Sequence, residues 1–274
     1  MKLHIEHETI FTYNAPVSER AGEARVRPRD EYGQRCHSFK LSVEPQAPLD
    51  EMTDDFGNAV HCYSILPPHR RCVIVATSVV ETASQPLIPA PNISLLQRHD
   101  ALAPSRYAFW TPAIEAFALE HAGDGSAEDR ALALKRAIFE HFEYQPGSTD
   151  IHTTAEDVLE GGKGVCQDFA HLLIASCRCL GLPARYVSGY LYDRASGPYD
   201  VLATHAWVEV HTGHGWLGLD PTHKRMVTDH YVRIAVGRDY GDATPVRGFY
   251  KGSAAEKMTV KVRIRPLEEP VPAP

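Results

Sequence analysis

Three residues that together can carry out nucleophilic acyl chemistry occur in the second half of this sequence. Cys166 follows the glycine-rich segment 161–164, and His205 and Asp220 come later along the chain. A cysteine thiolate can attack a carbonyl carbon, an imidazole can move the thiol proton, and a carboxylate can orient and stabilise the imidazole. Their order therefore predicts a cysteine nucleophile, provided that the three side chains meet.

Cys166 is predicted to lie in the first turn of a helix. Apolar and small residues after it recur at the spacing of a buried helix face, and the Gly-Leu-Pro segment 181–183 ends the pattern. The first N–H groups of a helix have no partner within the helix, and its dipole is positive there. Both effects favour a thiolate over the free thiol, whose pKa is about 8.5.

The hairpin between His205 and Asp220 decides whether these two side chains can form a hydrogen bond. The segment 212–215, Thr-Gly-His-Gly, predicts the turn. If the loop is even and centred on the midpoint of this segment, Trp207 pairs with Asp220 and His205 pairs with Thr222. Asp220 is then the diagonal neighbour of His205 on the same face, with roughly 7–8 Å between the Cα atoms. An odd loop places the two side chains on opposite faces.

The chain divides by its pattern into a β-rich N-terminal domain (1–85), a connector (86–112) and a larger second domain (113–274). Alternating apolar residues separated by turn signals predict strands in the first domain, and repeated prolines without periodicity predict the connector. In the second domain, helical spacing is followed by strand patterns. A C-terminal strand and a short Pro-rich tail end that domain.

Composition limits the possible functions. The net charge of −7 gives no basic surface for nucleic acid, and no apolar run is long enough to cross a bilayer. The N-terminus lacks the apolar stretch of a secretory signal, and the 6 cysteines are too few for a disulfide scaffold. These observations predict a cytoplasmic protein with reduced thiols and with neither nucleic acid nor membrane as a partner.

Four linked motifs resemble one known family. They are Gly-Gly-x-Gly-x-Cys-Gln-Asp-Phe-Ala-His, Gly-Leu-Pro-Ala-Arg-Tyr-Val-Ser-Gly-Tyr, His-Ala-Trp-Val-Glu-Val and Asp-Pro-Thr, and they fall within residues 153–222. Together they resemble the core of transglutaminase-like cysteine enzymes, especially the bacterial ones that carry an N-terminal β-rich region. The resemblance implies an α+β fold, in which a papain-like core of helices packed on an antiparallel sheet follows a β-rich domain. It also implies that Cys166, His205 and Asp220 occupy the catalytic positions.

The resulting functional hypothesis is hydrolysis of an amide through a Cys166 thioester. The substrate is expected to be a peptide, isopeptide or γ-glutamyl amide. The alternatives are transfer of the acyl group to an amine, as in transglutaminases or arylamine acetyltransferases, and a peptide-binding module without turnover. Besides the backbone N–H of Cys166, candidate contacts to the substrate or oxyanion are Gln167, Trp207 and Tyr190. Specificity is expected to reside in loops such as 193–203.

No cofactor and no metal are expected. The acidic ion sites of calcium-dependent relatives are not found in the sequence, and the histidines near Asp220 lack the usual zinc spacing. His171 is expected to be a packed core histidine, and Asp168 is expected to serve the helix dipole. The partner is a peptide or protein amide, and the oligomeric state stays open.

Overall fold

The computed structural model describes residues 1–84, 86–193 and 204–267. The strands are β1 (Lys2–Ala24), β2 (Gln34–Glu44), β3 (Leu49–Thr53), β4 (Ala59–Ile65), β5 (His69–Thr82), β6 (Leu87–Pro89), β7 (Glu143–Tyr144), β8 (Lys163–Gly164), β9 (Ala184–Leu191), β10 (His205–His211), β11 (Gly215–Leu219), β12 (Tyr231–Gly237), β13 (Val246–Lys251) and β14 (Glu256–Pro266). The helices are α1 (Leu95–Leu102), α2 (Pro112–Ala122), α3 (Ala127–His141), α4 (Ala155–Gly161), α5 (Cys166–Cys179) and α6 (Tyr240–Ala243). None of these described helices is both long and apolar enough to span a membrane.

The long strand β1 organises the N-terminal half of the fold. Alternate residues along its first part are buried, as a sheet with one face on the core requires. This part pairs with β5 and β14, and the register is irregular between Thr12 and Val17. Beyond that irregularity β1 pairs with β4 and β13 instead. One strand therefore holds together strands from both ends of the chain.

The C-terminal strand β14 belongs to this N-terminal sheet. The sequence pattern assigns that strand to the second domain, whereas it pairs with β1 from Leu3 opposite Pro266 to Tyr13 opposite Glu256. Buried Val262 and Ile264 join the same apolar cluster as the first residues of β1. A strand pattern specifies which face is apolar but not which strand lies beside it, so the pairing was not predictable from periodicity. The predicted tail, residues 268–274, lies outside the described residues.

A second sheet and its helices form the core that carries the candidate site. Its antiparallel strand order is β12-β9-β10-β11-β6. Helix α5 packs against it, and Phe169, Leu172 and Leu173 on that helix are buried in the main apolar cluster. The predicted α+β arrangement, with helices packed on an antiparallel sheet after a β-rich N-terminus, is confirmed.

The proline-rich connector contains regular structure. Strand β6 pairs with β11, and α1 begins after Ser94, whose side chain accepts a hydrogen bond from the Gln97 backbone. The Gln97 side chain in turn accepts one from the Ser94 N–H, at 2.9 Å. These elements are too short for a periodic pattern, so the sequence predicted only a connector here.

Two side-chain amides from the N-terminal half dock the edge strand β12. Asn58 accepts from the N–H of Val236 and donates to its carbonyl, both at 2.8 Å. Gln34 makes the same pair of bonds with Arg233, also at 2.8 Å each. The register of β12 shifts between Arg233 and Ala235, so these amides satisfy backbone groups that the irregular edge exposes.

Replacing Asn58 by alanine is expected to lower the free energy of unfolding by about 2–4 kcal/mol, because it leaves buried backbone groups of Val236 without these partners and removes one hydrogen bond of the Arg29 guanidinium. Urea denaturation measures this loss. The exposed Asn92 supplies a matched control, since Asn92→Ala should change stability by less than about 0.5 kcal/mol. Equal small shifts for both variants would mean that Asn58 does not hold β12.

Candidate active site

A glycine-rich loop delivers Cys166 to the start of α5. Helix α4 ends at Gly161, and Gly162 adopts a left-handed conformation with φ 68° that lets the chain reverse. The short strand β8 follows, and Cys166 is the first residue of α5. The predicted position of this cysteine at a helix N-terminus is confirmed.

Asp168, in the first turn of the same helix, caps its N-terminus. Its Oδ2 accepts hydrogen bonds from the Val165 N–H at 2.8 Å and from the Thr149 hydroxyl at 2.6 Å. A Cβ atom at Gly164 would lie 2.8 Å from the Asp168 Cβ, so a residue without a side chain is needed there. Burial raises the pKa of Asp168, and these two hydrogen bonds oppose that rise. Its contacts are those of a helix cap, which agrees with the structural role expected for it but adds a specific hydrogen bond to the expected dipole interaction.

The hairpin of β10 and β11 has the even loop that the site requires. Val208 lies opposite Leu219 and His211 lies opposite Trp216, and the Thr212 N–H donates to the Gly215 carbonyl. The His205 Nε2 is consequently 2.8 Å from the Asp220 Oδ2. The structure therefore has the even register of the two that the sequence left open.

Asp220 is fully buried and receives donors from three directions. Besides His205, the Tyr231 hydroxyl donates to Oδ2 at 2.7 Å and the Thr222 N–H donates to Oδ1 at 2.8 Å. Burial opposes ionisation, but the charge of His205 and these hydrogen bonds lower the pKa of Asp220 below its usual value. The carboxylate is thus fixed in its charged form and in one orientation.

The chain after Asp220 is held by a buried lysine. Lys135 on α3 donates from Nζ to the carbonyls of Lys224 and Arg225, at 3.0 and 3.2 Å. Burial lowers the pKa of Lys135, and the charge of Asp220 opposes that change. The sequence did not single out Lys135, because a lysine in a helical pattern is usually solvent-exposed.

The electrostatics of His205 favour its protonated form. Burial alone would lower the pKa of His205, but the charge and hydrogen bond of Asp220, with a further contribution from the Cys166 thiol, raise it to about 10. Since Nε2 is bonded to Asp220, Nδ1 is the ring nitrogen left to exchange a proton with Cys166. The ring can therefore be cationic at neutral pH.

Cys166 and His205 share one open cleft of about 700 Å³. Gln167, one of the candidate substrate contacts, lies in its wall beside the cysteine. Its contact with substrate stays a prediction. Tyr144, Tyr186 and Ser188 also line it, although the sequence did not identify them as site residues. Tyr186 and Ser188 alternate along β9 and so face the same side, but that pattern alone does not indicate a cleft.

Two family models match this chain. The Transglutaminase-like superfamily covers residues 115–221, and the Bacterial transglutaminase-like N-terminal region covers residues 3–81. An uncharacterized protein of Mycobacterium leprae is 31% identical in an alignment that covers 97% of this chain and 99% of that protein. The chain belongs to the transglutaminase-like superfamily.

Other comparisons agree with this assignment. An uncharacterized protein of Mycobacterium tuberculosis is 34% identical to the transglutaminase-like chain in an alignment that covers 97% of this chain and 93% of that one. The crystal structure of a candidate cysteine protease from Cytophaga hutchinsonii has a TM-score of 0.78 and 27% sequence identity, with coverage of 98% of this chain and 92% of that one. The family and fold predicted from the motifs are therefore confirmed.

Two predicted substrate contacts of this transglutaminase-like protein lie outside the cleft. Trp207 has no exposed surface and stacks beneath His205, with 6.2 Å between ring centroids. A Cβ atom at Gly189 would lie 2.3 Å from the Trp207 ring, so glycine makes room for it. Tyr190 is also buried, and its hydroxyl lies 2.9 Å from His7 Nδ1 on β1. Trp207 therefore supports the histidine, Tyr190 joins the two sheets, and the prediction that they contact substrate was wrong.

His171 is a core histidine, as predicted. It is fully buried, stacks on Tyr107 with 5.4 Å between centroids, and accepts a hydrogen bond at Nε2 from the Tyr240 N–H. Burial lowers the pKa of His171 to about 4, so the ring is neutral at physiological pH. Its role in the transglutaminase-like core is to pack the residues around it.

Three potential metal ligands converge beside the cleft. Ligand atoms of His205, Asp220 and His223 lie within 4.8 Å of one another. The Asp220 Oδ2 already accepts hydrogen bonds from His205 and Tyr231, so pairing between side chains accounts for its position. The absence of a metal stays a prediction. Residues 194–203 of the loop expected to set specificity lie outside the described residues.

Removing the Tyr231 hydroxyl is expected to weaken the pH dependence of the free energy of unfolding. The pKa of Asp220 is lower in the folded protein than its unfolded value of 3.8. The charged carboxylate therefore stabilises the folded state above pH 3.8, and this contribution is lost as the pH falls below that value. Tyr231→Phe raises the pKa of Asp220, so we expect about 1–2 kcal/mol less stability at neutral pH and a smaller deficit below 3.8. Urea denaturation across this pH range measures the difference.

Tyr250→Phe is the matched control, because its hydroxyl donates to the uncharged Ala254 carbonyl at 2.6 Å. Its stability deficit should not change with pH. A constant deficit in Tyr231→Phe as well would contradict the proposed stabilisation of the Asp220 charge.

Proposed function

We propose that this protein is a cysteine amidohydrolase that acts on peptide, isopeptide or γ-glutamyl amides through a Cys166 thioester. The observation that carries the proposal is that Cys166 shares a cleft with His205, whose far nitrogen is hydrogen-bonded to buried Asp220. Such an arrangement supplies a nucleophile, a proton carrier and a charge that fixes the carrier. The superfamily membership agrees with this chemistry.

The first half of the proposed reaction forms the thioester. The Cys166 sulfur attacks the amide carbon, and the thiol proton resides on Nδ1 of His205. The backbone N–H groups at the start of α5 have no partner within the helix, so they are candidates to stabilise the negative oxygen, with Gln167 beside them. The His205 proton then passes to the leaving nitrogen, the C–N bond breaks and the amine departs.

The second half consumes the thioester. Water gives a proton to Nδ1 of His205 and attacks the thioester carbon. The C–S bond breaks, the carboxylic acid leaves, and the Cys166–His205 pair is restored. Asp220 keeps the ring orientation throughout because Tyr231 and Thr222 hold the carboxylate from other sides.

Acyl transfer to an amine is the second candidate, and one observation favours it. The carboxylates of Asp150 and Asp193 line the same cleft as Cys166, and negative charge attracts a protonated amine; Asp193 is also paired with Arg225 at 3.6 Å, so Asp150 is the main candidate. Hydrolysis remains the main proposal because it needs no dedicated site for the second substrate. If a cationic amine bound at these carboxylates, the amine instead of water would react with the thioester, and the first half of the reaction would be the same.

Selective alkylation tests the nucleophile. Burial raises the pKa of the thiols of Cys36, Cys62, Cys72, Cys177 and Cys179, which keeps them protonated and slow at neutral pH. Iodoacetamide is therefore expected to modify Cys166 first, and peptide mass spectrometry after brief exposure identifies the modified site. Equal labelling of several thiols would reject a specially reactive Cys166.

Product analysis distinguishes hydrolysis from transfer. A γ-glutamyl anilide and a peptide anilide are incubated with the protein, with and without a primary amine, and the acyl products are separated by chromatography. We expect free acid in both cases. Conversion to the new amide instead, reduced in Asp150→Asn but not in the exposed control Asp124→Asn, would favour acyl transfer. Labelling of Cys166 without any turnover would favour a peptide-binding module.

A cytoplasmic location and a peptide or protein amide as partner are also part of the proposal. The 6 cysteines are free thiols, which agrees with a reducing compartment. The open cleft has about the volume that ligand sites need and could admit an extended chain.

A further inference from the structure

A second cleft adjoins the candidate active site. It encloses about 660 Å³, and Ile151 and Tyr240 line both this cleft and the one that contains Cys166. Tyr240 begins α6 and is held from its backbone by His171. The two clefts therefore meet at these two residues.

Most charged groups of the second cleft are already paired. Its Asp239 accepts hydrogen bonds from the N–H groups of Tyr107 and Gly241, at 3.0 and 2.8 Å. Each of three guanidinium groups has a carboxylate at 2.8 Å; the pairs are Arg20 with Glu256, Arg238 with Asp242 and Arg247 with Glu23. These contacts occupy both Asp239 oxygens and neutralise the three guanidinium groups, so they leave little positive charge to attract an anion.

Arg106 is different. Its side chain lines the second cleft and is exposed, and its guanidinium carbon lies 5.2 Å from the centroid of the Tyr107 ring. In the described part of the chain no carboxylate pairs with Arg106. The Tyr107 ring is itself fixed, since it stacks on His171 and its backbone is bonded to Asp239. A positive charge is thus held over a rigid aromatic surface.

Arg20 does not offer a comparable charge to this cleft. It is only 1% exposed, its guanidinium pairs with Glu256 at 2.8 Å, and it lies among the side chains of Phe11, Tyr63 and Cys72. The exposed guanidinium of Arg106 is therefore the feature that indicates an anionic group with hydrogen-bond acceptors.

We propose that the second cleft binds a carboxylate of the acyl-donor substrate and that Arg106 selects it. A guanidinium matches a carboxylate with two parallel hydrogen bonds, which gives both attraction and orientation. The inference rests on the proposed function, because it places the carboxylate on the chain that Cys166 attacks. The carboxylate can come from an acidic side chain of a peptide or from the α-carboxylate of a γ-glutamyl group.

Alkylation by substrate-shaped chloromethyl ketones tests this specificity, because the Cys166 sulfur displaces chloride only after the probe has bound. One probe series places Glu or Gln at successive positions before the ketone, and a second carries a γ-glutamyl group with a free or amidated α-carboxylate. We expect the carboxylate form of one series to inactivate wild-type protein about fivefold faster than its amide, which corresponds to about 1 kcal/mol. Which series shows the preference identifies the source of the carboxylate.

Variants assign the preference to a residue. Arg106→Gln should abolish the fivefold difference, Arg106→Lys should retain part of it, and Arg136→Gln, an exposed arginine outside both clefts, should leave it unchanged. Iodoacetamide should alkylate Cys166 at the same rate in all of these proteins, since it needs no subsite.

The outcomes separate the two proposals. Normal labelling by iodoacetamide, without a carboxylate preference or with one that survives Arg106→Gln, would reject the subsite and leave the nucleophile in place. If iodoacetamide itself failed to modify Cys166, the proposed function and the subsite that depends on it would both be rejected.

Discussion

Replacement of Cys166 by alanine is expected to abolish thioester formation and to lower amide turnover by about 10³-fold or more. The loss follows from the proposed chemistry, in which the sulfur forms the bond to the acyl carbon. His205 and Asp220 can still orient a water molecule in the variant, so a small residual rate is expected. Release of aniline from the peptide and γ-glutamyl anilides, together with mass spectrometry of the intact protein, measures both effects.

Cys179→Ala is the matched control for this loss. Cys179 lies at the other end of the same helix, is partly buried and donates to the Ser176 carbonyl at 3.1 Å. Burial raises the pKa of its thiol to about 11. Turnover should therefore be unchanged when it is removed. If Cys166→Ala kept the wild-type rate, the cysteine mechanism would be wrong, and if both variants lost activity, damage to α5 would be the cause.

The local geometry of the site was predictable because short-range rules determine it. A glycine-rich loop before an apolar stripe specifies where α5 begins, and that places Cys166 at a helix N-terminus. The turn segment 212–215 located the hairpin but left its parity open, and the even register in the structure places Asp220 behind His205. The catalytic roles of these residues stay a prediction, since geometry alone does not measure turnover.

What the sequence could not provide depends on contacts between distant segments. Trp207 and Tyr190 lie on strands whose faces were predictable, but the sheet that covers each face was not. Tyr190 is covered because His7 approaches it from β1, more than 180 residues earlier in the chain. The docking of Asn58 on β12 is equally nonlocal, because it joins a turn to an irregular edge strand.

Asp220→Asn should have the second large effect, because it removes the charge that raises the pKa of His205 to about 10. Burial then lowers the pKa of His205 with only Cys166 opposing it, so less of the ring is protonated at pH 7 than in the wild type. An asparagine amide can also favour the wrong ring tautomer. We expect amide turnover to fall by about 10³–10⁴-fold, and titration of the His205 ring protons by NMR should show the change in its pKa directly.

The pH dependence of stability provides an independent check with a definite sign. In the wild type the raised pKa of His205 stabilises the folded state fully below 6.5, and this contribution is lost as the pH rises to about 10. In Asp220→Asn that alkaline loss should shrink, because the Asp220 contributions that raise the pKa of His205 are gone and only that of Cys166 remains. A variant with low activity but an unchanged stability profile would show that Asp220 does not set the charge of His205.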